Sequence, residues 1–163
     1  MKNERYLDAL NTIVKMLLKD EIIKKSISNL KKKIQDSEEP FIWSVINPDP
    51  FQQILPSNVR SIWIFVLKKD TSSIAHYHSN TTQHTVMIEG KGKVKIGDRW
   101  KDLRQFVLSN SSNQDVWCVI DKNTCHEFFP QEKDMVVVSF HTCLPEELVE
   151  IKCDSREQRV YER

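Results

Sequence analysis

At Pro40 the chain changes period, and this change constrains the fold more than any other feature. Before it, apolar residues recur at steps of three and four: Leu7, Leu10, Val14, Leu17 and Leu18, then Ile22, Ile23, Ile27, Leu30 and Ile34. That spacing draws one apolar stripe along a helix. No glycine or proline interrupts residues 1–35, so the stretch is one helix or two. Lys31–Lys33 reads as a solvated helix end, where positive charge suits the dipole. The segment Asp36-Ser-Glu-Glu-Pro40 ends the helical pattern. Short β-rich runs follow: Phe41–Ile46, Ser61–Leu67, Gln83–Glu89, Lys93–Ile96, Val116–Ile120, His126–Phe129, Met135–Thr142 and Leu148–Lys152. Turn-forming clusters separate them, among them Asn47-Pro-Asp-Pro50, Gly97-Asp98, Ser109–Asn113 and Asp121-Lys-Asn123.

Many short strands without intervening helices predict an antiparallel sandwich or small barrel. The layout is a helical arm over 1–39, a β domain over 40–153 and a polar tail over 154–163. An arm of this size has too little material for a core of its own. It must pack on the β domain or on another subunit, and its apolar stripe leads us to expect a homodimer.

Composition removes several functions. A length of 163 residues suits one domain. Lys and Arg number 24 against 23 Asp and Glu, a net charge of +1, which excludes an overall basic footprint for nucleic acid. The 3 glycines, Gly90, Gly92 and Gly97, allow neither a GxGxxG nor a P-loop phosphate cradle. The 4 cysteines, Cys118, Cys125, Cys143 and Cys153, form no CxxC pair. The N-terminus is charged at intervals and lacks the apolar core of a signal peptide. No apolar run approaches the roughly 20 residues of a membrane span. A cytoplasmic setting with free thiols and no membrane partner is the expectation.

The residues that point to chemistry are histidines. His76 and His78 stand two apart, so on an extended strand both rings point to one face. Two imidazoles so placed can chelate one divalent cation. Gln83, opening the next run, can add its amide oxygen, and His126, opening a distant run, can complete the set. Imidazole suits Zn, Fe, Ni or Cu. Histidines are also ordinary packing residues, and spacing alone leaves both readings open.

This pattern resembles the cupin superfamily. Its first motif reads G-x5-H-x-H-x3,4-E-x6-G; here stand His76-x-His78, four residues, Gln83, six residues and Gly90. The leading glycine is missing and Gln replaces Glu. The second motif reads G-x5-P-x-G-x2-H-x3-N; here stand Asp121-x-Asn123-x2-His126, with Pro130 at the last position. Asn123 replaces a glycine but tolerates the left-handed conformation the turn needs. The match covers roughly residues 40–143 and leaves the arm outside it. It implies a mainly β chain: a single cupin-type antiparallel β-barrel, or jelly roll, with an N-terminal α-helical arm. It implies one divalent metal (Zn, Fe, Ni or Mn) on His76, His78, Gln83 and His126, with open positions for water or substrate.

Gln83 in place of a carboxylate removes one negative charge, which leaves the metal at +2 and favours Lewis-acid chemistry over oxidation of the metal. Cupins with three His and one Gln are similar to sugar-uronate tautomerases and polyketide cyclases. Those with three His on Fe(II) are similar to thiol and diketone dioxygenases. The preferred expectation is an enzyme of isomerase, cyclase or lyase type acting on a small oxygen-rich carbonyl or carboxylate substrate. The alternatives are an Fe(II) dioxygenase and a non-catalytic metal or small-molecule binding or sensor module. His141 shares a strand face with Ser139 and Cys143 and is the expected acid–base group. Tyr77 and His84 are expected to point away and pack, Cys125 to be no nucleophile, the tryptophans to be mostly core, and Arg60 and Arg99 to be exposed charges.

Overall fold

The helical stretch is two helices, α1 (Lys2–Lys19) and α2 (Glu21–Gln35), in a computed structural model that describes residues 2–109 and 114–161. Asp20 makes the break. Its side chain accepts from the backbone N–H groups of Ile22 and Ile23 at 2.8 and 3.2 Å, an N-cap that satisfies two donors of the new helix. Among the described residues eleven strands follow: β1 (Phe41–Ile46), β2 (Ser61–Leu67), β3 (His76–Tyr77), β4 (Gln83–Glu89), β5 (Gly92–Ile96), β6 (Arg99–Asp102), β7 (Trp117–Ile120), β8 (His126–Pro130), β9 (Met135–His141), β10 (Val149–Lys152) and β11 (Gln158–Val160).

They form two sheets, ordered β1-β2-β9-β4-β7 and β11-β10-β3-β8-β5-β6, with every strand pair antiparallel. The jelly roll is as expected, with one difference: the sheets face each other without closing into one hydrogen-bonded barrel.

The five-stranded sheet is buried on both sides. Its outer face carries Ile62, Ile64, Val66, Val136, Val138 and Phe140, which pack with Leu10, Ile13, Val14, Leu30 and Ile34 of the helices. Its inner face carries Trp63, Leu67, Met87, Met135 and Val137, which pack with Val94 and Phe128 of the opposite sheet. Burial on both faces is why β9 reads Met-Val-Val-Val-Ser-Phe rather than as an alternation. The arm's stripe thus lies on the chain's own sheet, one of the two packings open to it. The Trp117 indole N–H adds a buried hydrogen bond to Asn11 Oδ1 at 2.8 Å.

Two expectations need correction. The segment 154–163 is not a plain polar tail: β11 pairs with β10 at the sheet edge, and Tyr161 is buried in the inner core. Cys125 and Cys153 are not free thiols but a disulfide joining the turn before β8 to the end of β10; Cys118 and Cys143 are free and buried. Residues 110–113 of the expected breaker and residues 162–163 lie outside the described residues. Among the described residues no helix is long and apolar enough to cross a membrane.

Candidate metal centre

Three histidines meet on the inner face of the six-stranded sheet. His76 opens β3 and His126 opens β8, and the two are Cα partners in that pair. His78, two residues past His76, points to the same side. Ring centroids are 4.4 Å apart for His76 and His126, 5.1 Å for His76 and His78, and 5.3 Å for His78 and His126. One nitrogen from each lies within 4.8 Å of the others. The turn that delivers His126 holds Asn123 at φ 61°, the left-handed conformation expected of it, and the Asn123 N–H donates to the His78 carbonyl at 2.9 Å.

Backbone carbonyls fix the rings from behind. Nδ1 of His76 bonds Ile74 O at 2.7 Å, Nδ1 of His78 bonds Val149 O at 2.7 Å, and Nδ1 of His126 bonds Thr124 O at 2.9 Å. A carbonyl only accepts, so each Nδ1 carries the proton and each Nε2 presents a lone pair. Ligating histidines are oriented in this way. The Nε2 of His126 is buried and has no hydrogen-bond partner. Burial pushes the His78 pKa down to about 3, helped by the neighbouring His76 charge. Burial first, then the His76 and His78 charges, hold His126 well below its ordinary value. Neutral imidazole is the form that binds a cation.

Gln83 and His141 face this cluster from the other sheet. They are Cα partners in the β4–β9 pair, as are Thr85 and Ser139, and this register builds a chain of side chains. Gln83 Nε2 donates to Thr85 Oγ1 at 3.2 Å, Thr85 Oγ1 meets Ser139 Oγ at 2.7 Å, and Ser139 Oγ meets His141 Nε2 at 2.9 Å. With its amide nitrogen so engaged, Gln83 keeps Oε1 buried and without a hydrogen-bond partner. Burial holds His141 well below its ordinary pKa, and its ring stands 5.8 Å from that of His78. All five residues line one cavity of about 40 Å³, whose remaining wall includes Phe41, Phe65, Phe128 and Val137. Three Nε2 lone pairs and a spare amide oxygen, two of these four acceptors wholly unpartnered, fit a divalent cation.

The other expected residues lie elsewhere. His84 points to the outer face and packs on Tyr6 with ring centroids 4.8 Å apart. Tyr77 points outward, where its hydroxyl accepts from Arg156 at 3.0 Å. Arg60 is an exposed side chain 3.8 Å from Glu147, and Arg99 is exposed on β6. Trp43, Trp63 and Trp117 pack as core or near-core, whereas Trp100 is 58% exposed.

Two residues beside the cluster escape sequence reasoning. Glu150, on β10, is 3% exposed, and its Oε2 lies 3.9 Å from His76 Nε2. Tyr161 lines the cavity and donates its hydroxyl hydrogen to Glu150 Oε2. The available signal was the alternation Leu148, Glu150, Lys152, in which a carboxylate takes an inward position.

No family model matches this chain, and no curated protein matches it in sequence. Solved structures match it in fold. An 11S globulin from Wrightia tinctoria aligns at TM-score 0.53 and 13% identity over 71% of this chain and 28% of that one. Cocosin from coconut aligns at 0.52 and 15% over 71% and 29%. Oxalate decarboxylase of Lactobacillus farciminis, solved as a formate complex, aligns at 0.52 and 13% over 72% and 32%. The chain thus spans less than a third of the length of each.

Proposed function

We propose that this chain, which has the fold of the cupin superfamily, binds one divalent metal through His76, His78, His126 and Gln83 and acts on a small oxygen-rich substrate. The observation that carries the reading is the set of unsatisfied acceptors. Three imidazoles are locked as Nδ1–H tautomers, and His126 Nε2 and Gln83 Oε1 are buried with no partner. An unpaired buried polar atom costs on the order of 1–3 kcal/mol. A cation relieves that cost at several atoms together.

When bound, the metal supplies a Lewis acid able to polarise a carbonyl or stabilise a developing oxyanion. The chain supplies the remainder. The cavity, about 40 Å³, admits a small group. Ser139 lines it and is hydrogen-bonded to His141 Nε2 at 2.9 Å. His141 is neutral, so a proton leaving the substrate passes to Ser139 Oγ as the serine proton passes to His141 Nε2, and returns the same way. Thr85 and Gln83 hold Ser139 in register for this exchange. The reaction class is isomerase, cyclase or lyase.

A second reading, dioxygen chemistry at iron, draws support from the apolar half of the cavity wall, Phe41, Phe65, Phe128 and Val137. Paired assays separate the two. Proton exchange on keto-sugars by the zinc form, lost in His141→Ala, supports the first. Oxygen uptake with thiol or diketone substrates by the iron form, surviving His141→Ala but lost in His78→Ala, supports the second. Silence in both with ligand binding intact supports a sensor module. The expected cytoplasmic setting, read from an N-terminus without a signal-peptide core, carried free thiols with it, whereas a disulfide between Cys125 and Cys153 fits an oxidising compartment. A thiol count on protein isolated without reductant tests whether that bond forms.

A further inference from the structure

We propose that Glu150, held in place by Tyr161, supplies at the metal centre the negative charge that Gln83 leaves out. The inference rests on the metal reading above and concerns a residue outside the sequence motifs.

Register places Glu150 on the right face. Lys152 is the Cα partner of His76 in the β10–β3 pair, so Glu150, two residues away, shares the inner face with His76 and His78. Its Oε2 stands 3.9 Å from His76 Nε2. Nδ1 of that ring is already engaged by Ile74 O, so the nitrogen left for a cation is the one the carboxylate approaches.

Burial says the carboxylate needs a positive partner. Glu150 is 3% exposed and Tyr161 is 4% exposed. Carboxylates this deep are almost always paired or bound to a metal. The Tyr161 hydroxyl is a neutral donor and fills only part of that need. Two cations stand on adjoining strand positions, Lys152 and Arg159, the latter the Cα partner of Glu150; Lys152 feels Glu150 only through its field, and each makes its direct ion pair with another carboxylate. Lys152 Nζ pairs with Glu157 at 3.0 Å, and Arg159 pairs with Glu39 at 3.5 Å and lies over the Phe41, Trp43 and Tyr161 rings. A divalent ion on His76 Nε2 is the partner that the geometry offers.

The consequence is a change in the charge of the centre. Three neutral imidazoles and an amide leave the ion at +2, but with Glu150 the local charge is +1. That charge favours one monoanionic oxygen ligand, an enolate or a monocarboxylate, over a dianion. Tyr161, fixing Glu150 by a hydrogen bond, is a positioning residue.

The test is titration of the full metal-free chain with Co(II), read by calorimetry and by the visible bands of the bound ion. Wild type binds one equivalent. Glu150→Gln keeps the shape, removes the charge, weakens Co(II) about 10- to 100-fold and shifts the bands. Tyr161→Phe, which frees the carboxylate without removing it, gives a smaller loss and its own band shift. Wild-type affinity and bands in Glu150→Gln overturn the inference and leave the metal reading standing. Failure of wild type to bind Co(II) overturns both. If Glu150→Gln does not fold, unchanged affinity and bands in Tyr161→Phe overturn the inference.

Discussion

Breaking the Cys125–Cys153 bond releases two strands of the candidate site together. Cys125 immediately precedes His126, and the Cys153 N–H donates to Ala75 O, one residue before His76. The bond closes a loop across a sequence separation of 28. For a loop of that length the chain-entropy relation gives about −12 cal/mol/K, or about 3.5 kcal/mol at 25 °C. With a urea m-value of about 2 kcal/mol/M, the midpoint should fall by roughly 1.5–2 M. The assay is urea unfolding followed by tryptophan fluorescence, since Trp63 and Trp117 are 1% and 4% exposed in the fold. It compares metal-free wild type with the Cys125→Ser, Cys153→Ser double variant. A thiol count belongs beside it: denatured wild type without reductant should show two reactive thiols, Cys118 and Cys143. Equal midpoints in the two proteins, or four thiols before reduction, refute the reasoning.

Acid should destabilise the metal-free protein early. The His78 pKa is about 3 in the fold against roughly 6.5 unfolded, so from pH 6.5 down to 3 the unfolded chain binds a proton that the native state refuses; stability falls as pH drops, by about 2 kcal/mol at pH 5 from this residue alone, and a melting temperature flat from pH 7 to 5 contradicts it. Deleting residues 2–37 uncovers the outer face carrying Ile62, Ile64, Val136 and Val138, so light scattering should report aggregation. A soluble, folded monomer would show that the arm is dispensable. Gly90→Ala should cost more than Gly97→Ala, about 1–3 kcal/mol, because a Cβ at Gly90 (φ 106°) meets Asp134 O at 2.6 Å while one at Gly97 (φ 58°) meets nothing within 4 Å. The reverse order in thermal melts contradicts this.

The sequence made three strands legible to the residue, Phe41–Ile46, Ser61–Leu67 and Gln83–Glu89, because each is a dense run of β-branched and aromatic residues between breakers. The helix pair was legible as a period but not as a pair, since Asp20 breaks it by a local cap without glycine or proline. The edge strands β6 and β11 were not legible. Arg99–Asp102 and Gln158–Val160 are mostly exposed and polar, so no apolar alternation marks them. The histidine cluster was legible because the two-residue strand period alone puts His76 and His78 on one face. Thr85, Glu150 and Tyr161 were not, nor was the contact of Ser139 with Thr85, since these meetings depend on cross-strand register. The Cys125–Cys153 pair was hidden for the same reason: the residues are distant in sequence and meet only when β3 pairs with both β8 and β10.

Metal stoichiometry tests the central claim most directly. Elemental analysis of the full chain, loaded with zinc and dialysed, should give one equivalent for wild type and none for the double variant His76→Ala, His126→Ala, which removes the two rings that are 4.4 Å apart. Near-ultraviolet circular dichroism should show that variant still folded. One equivalent retained by the folded double variant would contradict the account.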